Sequence, residues 1–521
     1  MQIAIENLLE FAASQQRQYD SNSCPADRKE NGHFGTPPEI AEFMAGMFPK
    51  LPAETIRILD PGAGVGTLSA ALCERIAALK QPRKVYVEAW ESDPALLPYL
   101  ANTMRECGDV LEAHGHRFWF TIQSGDFILE NADQPLFGKK KNERFDLAIT
   151  NPPYFKLRKD SEQARAMSHV VHGQPNIYAL FLAVAAELLS ENGYLVGITP
   201  RSYFNGPYFQ RFRHWFFDRV SPRQIHIFES RKAAFCNDDV LQENVIMCVQ
   251  KSAEHSAVSV TVSHGRDLSA NGLHRRTLNF DQVIDDPRGV CVVRVTSNDF
   301  DQWIVDVIDQ LPNRFRDSEL EISTGPVVDF RATEYLLHDK IDAVKSAPLL
   351  WLHNVRPFVT TFPATRSGKA MHIKVCERSR SILLPAKRYV LLKRFTAKEE
   401  KRRLVAAIME ARDCYSPLVG LDNKLNYIHK PKGELTVSEA LGLAALFNSA
   451  LFDRYFRAVS GNTQVNAAEI RMLPIPDLGA IARLGEKVSR LGEREPAAVE
   501  ELVARTIGLD ETNARFLRGS A

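Results

Sequence analysis

The chain has 521 residues, too many for one ordinary domain, so two or three are expected. Hydrophobic residues make up 45% of it, enough for sizeable cores, and no apolar run of about 18 residues predicts a membrane span. A formal net charge of +1 gives no global pull toward nucleic acid, so any such affinity must lie in how the charges are distributed. The eight cysteines are scattered without a Cys-x-x-Cys pair, which speaks against a zinc site or a disulfide framework, and no metal is expected. The opening MQIAIENLLEFAASQQRQYDS lacks the basic start and small-residue cleavage site of a signal peptide, and a cytoplasmic location is the expectation.

Residues 1–30 read as a helical extension. Gly35-Thr36-Pro37-Pro38-Glu39 then precedes an apolar set at Ile40, Phe43, Met44 and Met47. Thr36 and Glu39 have capping-box spacing, which predicts a helix start whose free N–H groups suit a carboxylate. A strand over Ile56–Asp60 runs into Pro61-Gly62-Ala63-Gly64-Val65-Gly66, a helix follows, and Val85–Trp90 forms the next strand. Further strands are expected at FWFTIQ from Phe118, FDLAIT from Phe145, YLVGIT from Tyr194, QIHIF from Gln224 and NVIMCVQ from Asn244. Helical patterns lie between them, the clearest from Tyr178 to Leu189 and closed by Gly193. Alternation of this kind argues for an α/β fold with a mostly parallel sheet, covered on both faces and binding ligands beyond its strand ends. After about residue 255 the alternation fades, and a long helical pattern runs from Ser438 to Val459.

Three strand ends carry a nucleoside-binding pattern. The spacing Gly-x-Gly-x-Gly at Gly62, Gly64 and Gly66 differs from that of pyrophosphate binders, and Asp60 just before it favours a cationic ligand. S-adenosyl-L-methionine carries an ammonium and a sulfonium and no phosphate. Glu91 ends the second strand, where a carboxylate can accept both ribose hydroxyls. Asp126 follows the third, placed to accept an adenine amino group while Phe127 packs on the ring. Taken singly, Glu91 and Asp126 read more readily as loop carboxylates or helix caps, and it is their order at three successive strand ends that favours a nucleoside ligand.

Asn151-Pro152-Pro153-Tyr154 ends the strand from Phe145, about 90 residues after the glycines. Consecutive prolines lock the backbone and leave fixed carbonyl acceptors. The Asn151 side-chain oxygen and the Pro152 carbonyl can both accept from one exocyclic amine, pulling its nitrogen toward tetrahedral geometry and freeing a delocalised lone pair. Tyr154 offers a ring on which a flipped-out base can stack.

In order, these pieces resemble the gamma-type adenine-N6 DNA methyltransferases of restriction–modification systems, over roughly residues 30–250. The resemblance implies the class I S-adenosylmethionine-dependent methyltransferase fold, Rossmann-like, with a seven-stranded, mostly parallel sheet and a final antiparallel strand. It implies that Thr36 contacts the methionine carboxylate, Asp60 and Gly62 the ammonium region, and Glu91 the ribose. Asp126, Phe127 and Pro153 would frame the cofactor adenine, and Phe235 would face the flipped base opposite Tyr154. Asn176-Ile177-Tyr178 with Phe181 is similar to the family's Asn-Leu-Tyr-x-x-Phe helix, and Ser92 departs from the apolar residue often found there. DDVLQENVI near Asp238 and GNTQVNAAEIRMLPIP near Gly461 look like the PstI/BsuBI-like subgroup.

The fading alternation places the domain boundary between roughly 255 and 300, with a methyltransferase domain over 31–255, and the subgroup implies that 256–521 form a mixed α+β target-recognition domain that binds double-stranded DNA. It also implies a CTGCAG-like palindrome as target and a separate cognate restriction endonuclease. From Lys345 to Arg403 there are fifteen Lys and Arg against three Glu, a stretch that reads either as a phosphate track or as a solvated helix face. A monomer without membrane contact is expected. The rival readings are an RNA adenine-N6 or protein glutamine methyltransferase, and a modification subunit that needs a separate specificity subunit.

Overall fold

The computed structural model describes residues 7–23, 35–132, 144–228, 244–252, 254–263, 268, 272–285, 289–296, 298–338, 345–364, 368–396, 400–460 and 464–509. The chain forms two compact units, Met1–Ser297 and Asn298–Ala521. Among the described residues no helix is long and apolar enough to cross a membrane, and no cluster of three metal-ligating side chains occurs.

Unit 1 opens with α1 (Leu8–Asn22) and α2 (Pro38–Gly46). The alternating region follows: β1 (Thr55–Pro61), α3 (Thr67–Ala77), β2 (Lys84–Trp90), α4 (Leu97–Ala113), β3 (Arg117–Gln123), α5 (Phe127–Ala132) and β4 (Phe145–Thr150). Then come α6 (Glu162–Ala166), α7 (Ile177–Leu188), β5 (Leu189–Pro200), α8 (Gln210–Phe217), β6 (Val220–Phe228), β7 (Asn244–Lys251), β8 (Val258–Ser263) and β9 (Leu273–Leu278).

One sheet takes all nine strands, in the order β3-β2-β1-β4-β5-β7-β6-β8-β9. From β3 to β5 neighbours run parallel, while β7 lies antiparallel between β5 and β6. The seven strands from β3 to β6 are the sheet of the class I methyltransferases. The sequence reading stopped at seven, whereas β8 pairs parallel with β6 and β9 closes the edge. The sheet thus runs past residue 255 to Leu278, and the division between the units comes at Ser297–Asn298.

The strands are buried because helices cover both faces. One core joins α1, α2, α3 and α4 through Met44, Leu72 and Met104 to Ile56 and Ile198. The other joins α5, α7 and α8 through Ile128, Leu180 and Phe212 to Leu59 and Ala148. Every residue of α7 except Glu187 is buried, so it is apolar all round. It ends at Leu188 and β5 starts at the next residue, so Gly193 lies within β5 instead of closing the helix.

Unit 2 is mixed α+β, with a six-stranded and a five-stranded sheet. The elements used below are α9 (Asp299–Asp309), β10 (Glu321–Thr324), β11 (Ser346–Leu350), β12 (Tyr389–Lys393), β13 (Leu418–Leu421), β14 (Leu425–His429), α10 (Val437–Asn448) and α11 (Ala450–Val459). The single helix expected over Ser438–Val459 is thus two. Ser449 leaves the helical region, and its hydroxyl accepts from the Phe452 N–H at 3.2 Å. The Glu500 carboxylate accepts from the Ala450 and Leu451 amides at 2.6 and 2.9 Å, satisfying the donors that a new helix start exposes.

The basic stretch from Lys345 to Arg403 is neither one track nor one helix face. Arg403 is buried, Arg388 is paired with Glu410 at 2.8 Å, and Lys369 contacts Asp329 at 3.0 Å. These three charges are engaged at separate places in the unit, because strands and turns, not one helix, carry them.

Candidate active site

The carboxyl ends of β1, β2, β3 and β4 surround a cavity of about 660 Å³, the size of a typical small-molecule pocket. Its floor is the turn after β1. The Gly62 and Ala63 amides both donate to the Trp90 carbonyl at 2.9 Å, locking this turn to the end of β2. Gly64 has φ +58, and a Cβ there would meet no protein atom within 4 Å, so the backbone faces open cavity. Its N–H donates to Glu91 Oε2 at 2.8 Å, and the Asp93 N–H donates to Glu91 Oε1 at 2.9 Å. Both Glu91 oxygens are thereby oriented, each keeping a second lone pair for a ligand hydroxyl.

Asp60 is fully buried beneath the turn. Ser69 donates to its Oδ2 at 2.6 Å, while Oδ1 has no hydrogen-bond partner among the described residues. Burial pushes the carboxyl up to about 7, and nearby Glu91 adds to the rise. An unsatisfied buried acceptor of this kind is costly unless a donor arrives, and a ligand ammonium is such a donor.

Phe127 forms an aromatic wall with Trp90 at 5.6 Å and Phe181 at 5.2 Å between ring centres. All three line the cavity, together with Ser92 and Leu96. Asp126 Oδ1 caps α5 by accepting from the Ile128 and Leu129 amides at 2.9 and 3.0 Å. Its Oδ2 accepts from Gln163 Nε2 at 2.7 Å. Asp126 is thus a helix cap as well as a cavity residue, and Gln163, from α6, reaches the same carboxylate.

Asn151 stands at the edge of the cavity, with its carboxamide held from both sides. Its Nδ2 donates to Thr36 Oγ1 at 3.0 Å, and its Oδ1 lies 2.7 Å from the Tyr154 hydroxyl. That hydroxyl is also 3.0 Å from the Ile198 carbonyl, so its one proton faces two acceptors. The Tyr154 ring meets Tyr178 edge-on at 6.3 Å. Past Tyr154 the chain is tied to the start of α7, since Ile177 N–H donates to Phe155 O at 3.0 Å and Leu157 N–H to Pro175 O at 2.8 Å.

The expected capping box of Thr36 and Glu39 does not form. Helix α2 begins at Pro38 with Pro37 as its cap and no side-chain cap bond, because the Thr36 hydroxyl turns to Asn151.

Comparison with known proteins gives the family. The chain is 32% identical over 484 residues to the type II methyltransferase M.PstI of Providencia stuartii, spanning 92% of this chain and 94% of that one. It is 32% identical over 501 residues to the type II methyltransferase M.BsuBI of Bacillus subtilis, spanning 94% and 97%. The chain belongs to this family. Residues 101–235 also match the family model described as Eco57I restriction-modification methylase. A shorter likeness, 31% over 161 residues, links the chain to a tRNA1(Val) (adenine(37)-N6)-methyltransferase of Porphyromonas gingivalis W83, over 31% of this chain and 53% of that one.

In this PstI/BsuBI-like methyltransferase the cavity gathers Gly62, Gly64, Glu91, Asp126, Phe127, Asn151 and Pro153, with Asp60 buried under its floor. Phe235 lies outside the described residues, as do parts of the two segments that resemble the subgroup. Sequence reasoning missed Gln163 and the contribution of α1. Gln16 and Tyr19 line the cavity, and the Tyr19 hydroxyl lies 3.1 Å from Asp93 Oδ2. No motif marks these residues, since a polar side chain on an amphipathic helix reads as solvated surface.

Proposed function

We propose that this methyltransferase transfers a methyl group from S-adenosyl-L-methionine to N6 of an adenine flipped out of double-stranded DNA, within a restriction–modification system. The observation that carries the proposal is the Asn151 carboxamide, fixed between Thr36 and Tyr154 where the catalytic loop meets the cavity. The donor set fits the cofactor: an unsatisfied buried carboxylate oxygen for an ammonium, two oriented Glu91 oxygens for a ribose, and an aromatic wall for an adenine. When bound, the cofactor supplies an electrophilic sulfonium methyl.

Asn151 Oδ1 and the Pro152 carbonyl accept the two hydrogens of the target amino group. The nitrogen lone pair then leaves conjugation with the ring and becomes nucleophilic. Thr36 holds the carboxamide plane, so catalysis is positioning and hydrogen bonding without a covalent enzyme intermediate. Tyr154, and Phe235 from the other side, stack on the extruded base and offset part of its unstacking cost.

Adenine N6 draws support from the tRNA relative, whose name carries that position and whose likeness covers 31% of this chain. The likeness to the type II methyltransferases spans 92% and 94% of the chain, and this favours DNA over RNA. Unit 2 then supplies target recognition, and a cognate endonuclease is a separate protein. The test is expression in a host lacking adenine methylation, followed by modification-sensitive sequencing of its genomic DNA. N6-methyladenine confined to one short motif is expected. Unmodified DNA from abundant, folded protein would move the reading to RNA, a protein amide or a missing specificity subunit.

A further inference from the structure

Several segments meet at one end of the six-stranded sheet of unit 2. Strand β14 is antiparallel to β10 on one side and to β12 on the other, so the chain after Thr324, the turn before Leu425 and the chain after Lys393 share an edge. Backbone bonds tie them together. Gly325 N–H donates to Leu425 O at 2.8 Å, Asn423 N–H to Val327 O at 2.8 Å, and Arg394 N–H to Lys424 O at 2.9 Å. Val465 N–H donates to Arg394 O at 2.8 Å and brings in a fourth segment. An edge cross-linked in this way is a firm platform.

Two aromatic rings stand out from it, Phe330 at 72% exposure and Phe395 at 38%. Each has a guanidinium over its ring, Arg331 at 5.5 Å and Arg394 at 5.6 Å from the centres. Asp329, just before Phe330, gathers the ammonium groups of Lys369 at 3.0 Å and Lys424 at 3.5 Å. Asp422 is buried beneath the same lysines, so Arg331, Arg394, Lys369 and Lys424 stand against the carboxylates of Asp329 and Asp422, an excess of positive charge. Flat apolar rings among excess positive charge match a polyanion whose units have π-faces, and that combination is a nucleic acid.

We propose that this edge is where unit 2 engages duplex DNA, with Phe330 wedged against a base step and Arg331 and Lys424 on phosphates. The proposal rests on the DNA reading above and assigns the contact residues, which that reading leaves open.

To test it, the motif modified by the wild type is first found by sequencing. Binding is then measured by fluorescence anisotropy on a duplex of about 25 base pairs that carries the motif, and on a scrambled one. Phe330→Ala is expected to weaken binding to the motif duplex about tenfold or more and to narrow its preference over the scrambled duplex. Arg331→Ala is expected to weaken both duplexes alike and to lower the log–log salt slope by about one. Cofactor affinity, measured by calorimetry, stays at the wild-type value. If the wild type methylates DNA and the Phe330, Arg331 and Phe395 alanine variants bind and methylate as it does, the proposal is overturned and the DNA reading stands. If the variants change only the sedimentation of the protein, the edge joins copies of this chain and the proposal is likewise overturned. A wild type that modifies no duplex would remove the DNA reading itself.

Discussion

The Tyr154 hydroxyl lies 2.7 Å from Asn151 Oδ1, the atom on which the proposed reaction depends. Oδ1 carries two lone pairs, so the target amino group either joins that hydroxyl on the oxygen or exchanges with it. The exchange is cheap, because the Tyr154 proton has a second acceptor in the Ile198 carbonyl at 3.0 Å, and trading one hydrogen bond for another has little net cost. Burial holds the phenol well above its ordinary value, so Tyr154 stays neutral and does not repel the acceptor.

Tyr154→Phe is accordingly expected to keep methyl transfer within about tenfold of the wild type, whereas Asn151→Ala lowers it by about a hundredfold or more with cofactor affinity kept. Single-turnover transfer from radiolabelled cofactor separates the two. Near-normal transfer by Asn151→Ala would sink the mechanism.

Thr36 fixes the other side of the carboxamide through a 3.0 Å bond. Removing that acceptor in Thr36→Val loses about 1 kcal/mol of orientation, or roughly fivefold in rate. Thr36→Ser restores it. A valine variant as fast as wild type would mean that the orientation of Asn151 is set elsewhere.

Asp60 predicts a pH effect. Its folded-state value of about 7 lies above the ordinary 3.8, so its contribution to the stability of the ligand-free protein is complete at low pH and is lost as pH rises through about 7. Melting temperature should thus fall more steeply between pH 5.5 and 8 in the wild type than in Asp60→Asn. A ligand ammonium draws the carboxyl into its charged form, so cofactor uptake at pH 6 should release a proton. Calorimetry in two buffers of different ionisation heat would count it, and equal heats in both would refute the coupling.

Asp126 serves the α5 cap and the cavity at once. Asp126→Ala should cost about 1 kcal/mol of stability from the lost cap, besides cofactor affinity. Gln163→Ala leaves the cap intact and is expected to weaken cofactor binding a few-fold with the melting temperature unchanged. Parallel melting and binding curves would tell them apart, and a matching loss of stability in the glutamine variant would contradict the assignment.

What the sequence made readable was the local part of the design. The strands from β1 to β7 announce themselves by apolar runs, and each motif falls at a strand end because the turn and its flanking strand are continuous in the chain. What escaped was long-range. Thr36 has the spacing of a capping box, yet its hydroxyl serves a residue 115 positions away. The pattern from Ser438 to Val459 looks continuous until Glu500 supplies acceptors for a second start. Strands β8 and β9 belong to the first sheet although the helical alternation has ended, since β6 offers them an edge. The run of basic residues disperses once its strands and turns fold apart.

Helix α1 contributes a part of the cavity that can be completed only late. α1 leaves the ribosome ahead of everything it touches, and Tyr19 has no Asp93 to meet until 74 more residues are made. Thr36 must wait longer still for Asn151. A nascent chain halted anywhere before β4 therefore carries the glycine turn without its completed surroundings. A product truncated before β4 would lack Asn151 and Pro153 from the cavity.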